Sequence, residues 1–242
     1  MSQGLTGKRV LVTGASAGIG RASVLALAAR GAEIIATGRR KAALESLRTE
    51  TKSAGGRIET IAGDLNDAGF VRELAGAAAD VDILLNNAGV LTYAPVLDMQ
   101  DHECEEMFRT NVLAAFRIAQ AIARPMVERK RGHIIVMTST AARDVYRLGV
   151  VYCATKHALS ALTRGLRLEL QGHGIKVTEI APGMVDTHIR DASRHPAVLE
   201  AMKTRKYGPL TAEEIAEAVV YAAEAEPNCC PDLIELRPQG AA

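Results

Sequence analysis

The chain has 242 residues, 48% of them hydrophobic but only 3% aromatic, with 29 Lys and Arg against 28 Asp and Glu. A formal charge of +1, with basic residues scattered rather than gathered into a stripe, argues against a nucleic-acid partner, and Cys104, Cys153, Cys229 and Cys230 form neither a C-x-x-C pair nor a zinc spacing. The opening MSQGLTGKRV has no apolar leader and no apolar run is long enough to span a bilayer, so the expectation is a cytoplasmic protein, one domain over 1–242 with an aliphatic core.

Val10, Leu11 and Val12 predict a short buried strand, and an Ala- and Leu-rich stretch predicts a helix over 22–30. Between them Gly14, Ser16, Gly18, Ile19 and Gly20 make a tight turn. Glycine lacks a Cβ, so the main chain there can take positive φ and admit a ligand closely. The helix start adds unpaired N–H groups and a positive dipole end, and both features suit a pyrophosphate. The spacing G-x-x-x-G-x-G departs from the G-x-G-x-x-G fingerprint, and a turn that merely closes tightly is the plainer alternative.

A second strand over 33–37 exits at Gly38-Arg39-Arg40, ahead of a helix over Lys41–Ser53. A carboxylate at such an exit accepts from the ribose hydroxyls of NAD, whereas an Arg accommodates the 2′-phosphate of NADP. No carboxylate competes here, so NADP(H) is the expected cofactor, with Arg39 able to pair with the phosphate and stack on adenine. A solvated basic pair, Arg39 and Arg40, is the alternative. The third strand, Arg57–Ala62, exits at Asp64 and Leu65, where Asp64 could equally cap the next helix, 67–79. A fourth strand over 82–85 leads to Asn86-Asn87-Ala88-Gly89, whose amides can bridge backbone groups and hold the strand end open.

The pattern over 99–129 is helical, with Pro125 expected to kink or break it and Asn111 in need of hydrogen-bond partners. Strand Gly132–Met137 runs to Ser139; a helix over 152–170 and a strand over 175–180 follow, and the chain leaves that strand through Pro182, Gly183, Met184, Val185 and Thr187. An Ala-rich helix and a last strand over 232–238 close it. This alternation calls for a parallel sheet covered on both faces, with ligands beyond the carboxyl ends of the strands.

Tyr152 and Lys156 stand at i and i+4, on one helix face. A phenol with pKa near ~10 is a poor acid or base at neutral pH, and a neighbouring cation lowers it. Ser139, at the end of the preceding strand, can donate to a carbonyl oxygen and hold it against Tyr152. Such a Tyr/Lys pair on its own is common on helix surfaces.

TG-x-x-x-GIG, NNAG, Asn111, Ser139, YCATK and PG-x-V-x-T, in this order over almost the whole chain, resemble the short-chain dehydrogenase/reductase family. The resemblance implies an α/β fold, a Rossmann-type doubly wound parallel sheet with helices on both faces. It implies Tyr152 as acid/base, Ser139 as substrate orienter, Lys156 as ribose holder and Asn111 in a helix kink that holds a relay water. Asp64 and Leu65 would meet adenine, Asn87, Ala88 and Gly89 would flank the cofactor, and Pro182, Gly183, Val185 and Thr187 would line the nicotinamide amide. Members with an NADP preference often carry a basic residue inside the glycine turn, where this chain has Ala17. The frequent Asp-Gly-Gly ending is also missing, and DLIELRP looks more like the 3-hydroxy-acid and serine-type dehydrogenases and related aldehyde reductases.

The family's variable substrate loop falls at about 187–207, an expected lid carrying His188, Arg190, Arg194, His195, Lys203, Arg205 and Lys206. This bias fits an anionic substrate, or simply solvated charge. Arg143, Tyr146, Met184 and His188 are the candidate substrate contacts beside Ser139 and Tyr152, with Leu91 and Tyr93 as apolar wall. The activity implied is NADP(H)-dependent hydride transfer on a small polar aldehyde, ketone or hydroxy acid; the alternative is a catalytically silent NADP(H)-binding regulator of the same fold. Surplus apolar residues on the helices, together with the tetramers common among relatives, point to a homo-oligomer, tetramer or dimer. No metal is expected, since a helix turns His102, Cys104 and Glu105 to different faces.

Overall fold

The computed structural model describes residues 4–204 and 207–241. Among them, β1 (Arg9–Thr13), β2 (Glu33–Gly38), β3 (Arg57–Ala62), β4 (Ile83–Asn86), β5 (Gly132–Met137), β6 (Ile175–Pro182) and β7 (Leu233–Leu236) pair in the order β3-β2-β1-β4-β5-β6-β7. Every pairing is parallel. The connections carry α1 (Gly18–Ala29), α2 (Lys41–Ser53), α3 (Ala68–Ala77), α4 (Asp101–Phe108), α5 (Ala115–Arg129), α6 (Val150–Leu170), α7 (Pro196–Lys203) and α8 (Ala212–Ala223).

The period of two along the strands divides the core into two layers. Val10 and Val12 pack with Val24 and Leu27 of α1 and Ile215 and Val219 of α8. Leu11, between them, faces the other way and packs with Leu74 of α3, Ile118 and Ile122 of α5 and Leu159 of α6. Each fully buried aliphatic side chain contributes about 1.5–3 kcal/mol, which is how a chain poor in aromatics holds a large sheet. The strand order reverses between β1 and β4. A crevice therefore opens over their carboxyl ends, the general ligand position in such sheets.

Two expectations about elements need correction. The first helix begins at Gly18 rather than near 22, because Ala17 (φ −164°) is its extended cap and the last glycines of the turn already belong to its first turn. Pro125 does not break its helix: α5 runs through it, held by buried Ile118, Ile122, Ala123 and Met126, so one missing N–H is tolerated. The irregularity lies upstream, where Arg109–Ala114 form a π-helical segment between α4 and α5. The segment expected as a lid holds a short 3-10 turn at His188–Arg190 and then α7, whose start is capped by the His195 side chain accepting from Ala197 N at 3.2 Å. Arg205 and Lys206 lie outside the described residues. No helix among the described residues is long and apolar enough to cross a membrane.

Candidate active site

The crevice is built first by glycine. Gly14 has φ +67°, and a Cβ on it would lie 2.8 Å from Ala88 Cα, so only glycine lets the β1 and β4 exits approach this closely. A Cβ on Gly20 would lie 2.4 Å from Gly14 O, which fixes how tightly α1 seats against the turn. Thr13, unmarked by any motif of its own, clamps the two exits: its Oγ1 accepts from Asn87 N and Ala88 N, both at 3.0 Å, while Asn87 Nδ2 donates to Thr13 O at 3.0 Å. The only sequence signal for this role is a Thr directly before the first glycine. No side chain caps α1, so its first N–H groups open onto the crevice.

One half of the crevice, about 420 Å³, is lined by Gly14, Ser16, Gly18, Ile19, Arg39, Arg40, Asp64, Leu65, Ala88 and Gly89. Arg40 Nη2 donates to Ser16 O at 3.1 Å, and Gly38 leaves room beside the Ser16 hydroxyl. Asp64 forms a local turn, accepting from Asn66 N at 2.9 Å, and the cap of α3 is Asp67 instead.

The other half, about 730 Å³, brings together Ser139, Tyr152 and Lys156 with Asn87, Pro182, Gly183, Val185 and Thr187. Ser139 Oγ accepts from Ala141 N at 3.1 Å and donates to Pro182 O at 3.2 Å, so its rotamer is set by the β6 exit. Lys156 Nζ donates to Met137 O at 3.1 Å. Tyr93 stacks edge-on against Tyr152 with ring centroids 5.9 Å apart. The segment expected as a lid packs on the stretch after β4, where Tyr93 N donates to Ser193 Oγ at 2.9 Å. The lid residues that face the cavity include Ile189, Val198, Ala201 and Met202, an apolar set, with Tyr146, Met184 and Leu91 on other walls.

Burial dominates the titration of both reactive groups. It pushes the Tyr152 phenol well above its ordinary value, Tyr93 adding to the effect, against a hydrogen bond with Ser139 and the charge of Arg190. It draws the Lys156 ammonium down to about 8, opposed by the carboxylate of Glu179. The net direction for Tyr152 is thus upward, against the lowering expected from Lys156. The ammonium lies over the ring, 5.7 Å from its centroid, and the groups that ease the phenol are Ser139 and Arg190.

Two further candidates stand elsewhere than expected, and a third, Asn111, sits in an irregular helical turn as expected. Arg143 is not on the cavity wall, because its guanidinium is drawn to Glu179 (3.1 Å) and Glu235 (3.5 Å). His188 faces the nucleotide half of the crevice. Asn111, fully buried in the π segment, lies behind the cavity with its amide engaged: Oδ1 accepts from Val90 N at 2.8 Å, and Nδ2 donates to Val90 O at 2.9 Å and Thr155 Oγ1 at 3.1 Å. Arg147, Tyr207 and Arg237, not singled out from the sequence as substrate contacts, do line the cavity.

A doubly wound sheet with an uncapped helix at its switch point, a serine just past the adjoining β5 exit and a tyrosine and lysine on α6 facing the same cavity make up the architecture of a nucleotide-dependent oxidoreductase. A family model described as short chain dehydrogenase matches residues 8–197. The chain is 34% identical over 227 residues to the L-xylulose reductase of Mesocricetus auratus, covering 91% of each. Among solved structures, the closed form of a serine dehydrogenase complexed with NADP+ superposes with TM-score 0.86 at 31% identity, 94% of each chain covered. A metagenomic short-chain oxidoreductase in complex with NADP gives TM-score 0.82 at 29% identity, covering 97% of this chain and 98% of the other. The chain belongs to the short-chain dehydrogenase family.

Proposed function

We propose that this chain is an NADP(H)-dependent oxidoreductase that interconverts a carbonyl and an alcohol, with a small polar aldehyde, ketone or hydroxy acid as substrate. The observation that carries the reading is the meeting of Ser139, Tyr152 and Lys156 on the wall of one cavity that continues to the start of α1. The residues present fit the cofactor: the uncapped α1 start and the close approach at Gly14 suit a pyrophosphate, and Arg39 and Arg40, with Ser16 beside them, suit a 2′-phosphate. When bound, the nicotinamide supplies the hydride.

The protein supplies position and a proton. Ser139 Oγ holds the carbonyl oxygen. Tyr152, whose proton burial retains, gives it to that oxygen as an alkoxide develops and takes it back in the reverse direction. Lys156, steadied by Met137 O, holds the ribose. Asn111 acts as a support, tying Val90 to the catalytic helix at Thr155. Among the described residues, the charged groups on the cavity wall are Arg147, Lys156, Arg190 and Arg237, with no Asp or Glu. Arg237 is tied to Asp144 and Glu235, and Arg190 donates to Val185 O at 3.2 and 3.0 Å, so Arg147 is the partner we assign to a substrate carboxylate, which favours a hydroxy or oxo acid.

The test is NADPH oxidation against aldehydes, ketones, sugars and oxo acids, the last paired with their neutral esters. Tyr152→Phe should lower turnover by about 100-fold or more while leaving NADPH binding, read by fluorescence, within about twofold of wild type. Loss of NADPH binding by a folded Tyr152→Phe protein would contradict the acid/base role. Esters turned over as well as their acids would contradict the carboxylate assignment.

A further inference from the structure

Glu179 is a carboxylate with no part in the chemistry above, and it is 2% exposed in the middle of β6. Its Oε1 accepts from Thr138 Oγ1 at 2.7 Å and Arg143 Nη2 at 3.1 Å, and its Oε2 accepts from Ser160 Oγ at 3.1 Å. These donors bracket the site. Thr138 precedes Ser139 in the chain, and Ser160 lies one turn beyond Lys156 on the same face of α6. Behind Arg143 stands Glu235, which accepts from Arg237 Nε at 2.7 Å, so the network ends on the cavity wall. A buried ion pair is on average no better for stability than well-packed apolar residues. Holding β6 in place does not by itself call for a charge here.

We propose that Glu179 is a positioning residue for the oxidoreductase reaction: bound to Thr138, Ser160 and Arg143, it fixes the strand end bearing Ser139 against the helix turn bearing Lys156 and places a buried negative charge beside that turn. The inference rests on the reading of the site given above. Burial works against the Lys156 ammonium, and Glu179 is the group whose charge works for it. The other titratable neighbours act elsewhere. On α6, Tyr152 offers Lys156 its ring, Cys153 bears on Tyr152, and His157 Nδ1 is engaged with Cys153 O at 2.9 Å. Tyr93, from the segment after β4, and Arg190, from the lid, bear on Tyr152. Arg143, from the turn after β5, faces Glu179 itself, and Asn111 of the π segment is uncharged.

The experiment titrates Lys156 directly, by heteronuclear NMR of its side-chain methylene assigned with Lys156→Arg, and in parallel follows the pH dependence of kcat for carbonyl reduction. Glu179→Gln keeps the shape and removes the charge. It should move the Lys156 midpoint and the alkaline limb of kcat down by about one pH unit, lowering kcat about fivefold at pH 8 and barely at pH 6.5. Arg143→Gln removes the opposing cation and should move both upward. That opposite sign is something a merely structural network would not produce; if Glu179→Gln fails to fold, the upward shift in Arg143→Gln is the deciding result. An unchanged Lys156 midpoint in either folded variant overturns the proposal. Wild-type protein that turns over no carbonyl while its Lys156 responds to both substitutions would instead overturn the oxidoreductase reading, and with it the role in catalysis.

Discussion

Burial acts in opposite directions on the two titratable groups of the site, raising the Tyr152 phenol and lowering the Lys156 ammonium. The phenol thus keeps its proton through the neutral range, which suits donation to an alkoxide of high basicity. A local i, i+4 reading pairs the two side chains but leaves open which atoms face each other. The tertiary structure puts the ammonium against Met137 O and the ring face. Cofactor choice is also a matter of single residues. Arg39 has only a distant carboxylate, Glu106 at 4.0 Å, and its guanidinium is 60% exposed on the crevice, so it is available to a phosphate. Arg39→Asp should weaken NADPH by about tenfold or more and NADH far less, because a charge-assisted bond is replaced by repulsion. Equal losses in parallel fluorescence titrations would remove Arg39 from the 2′-phosphate site.

At the level of elements, the turn from β1 into α1 sets the geometry of the whole crevice. Gly20→Ala would place a methyl carbon 2.4 Å from Gly14 O and 2.6 Å from Asn87 Nδ2, and neither neighbour is free to yield, since Asn87 Nδ2 is itself bound to Thr13 O. The expected cost is about 1–3 kcal/mol, seen as a lower Tm, with NADPH binding weakened by about tenfold or more. Unchanged Tm and affinity would show that α1 is not seated by this contact. The helical run over 99–129 teaches a different lesson. Its proline drew attention, yet the irregular turn is the π segment around Asn111, where the side chain binds the backbone of Val90 and so ties the β4 exit to the helices. Nothing in the local pattern marks that turn, because its cause is a partner 21 residues away.

For the molecule as a whole, acid should be the destabilising direction well before the carboxylates titrate. His133, at the start of β5 and 3% exposed, has Nε2 2.8 Å from Thr178 Oγ1 and no partner for Nδ1. Burial, with a contribution from Lys176, draws its pKa from 6.5 down to about 3. Between those values the unfolded chain takes up a proton that the folded chain refuses. Stability is therefore complete above pH 6.5 and falls as pH drops below it, by up to about 1.4 kcal/mol per unit. His133→Asn should flatten the urea midpoint between pH 6.5 and 5, and an unaltered slope would assign the acid sensitivity to other groups.

The alternation of strands and helices, the parallel doubly wound sheet, and the turn residues that gather at its carboxyl ends are all legible along the chain. All of these follow from periods of two and 3.6 and from glycine chemistry, which are local in the chain. Ser139, Tyr152 and Lys156 were legible because strand exits and one helix face suffice to aim them. Which charges meet the cavity depends instead on contacts between elements far apart in the chain. Arg143 reaches Glu179, 36 residues away, and so leaves the wall to Arg147, Arg190 and Arg237. A guanidinium at the end of a long flexible stem goes where a buried carboxylate draws it, and no pattern confined to neighbouring residues records where that carboxylate is.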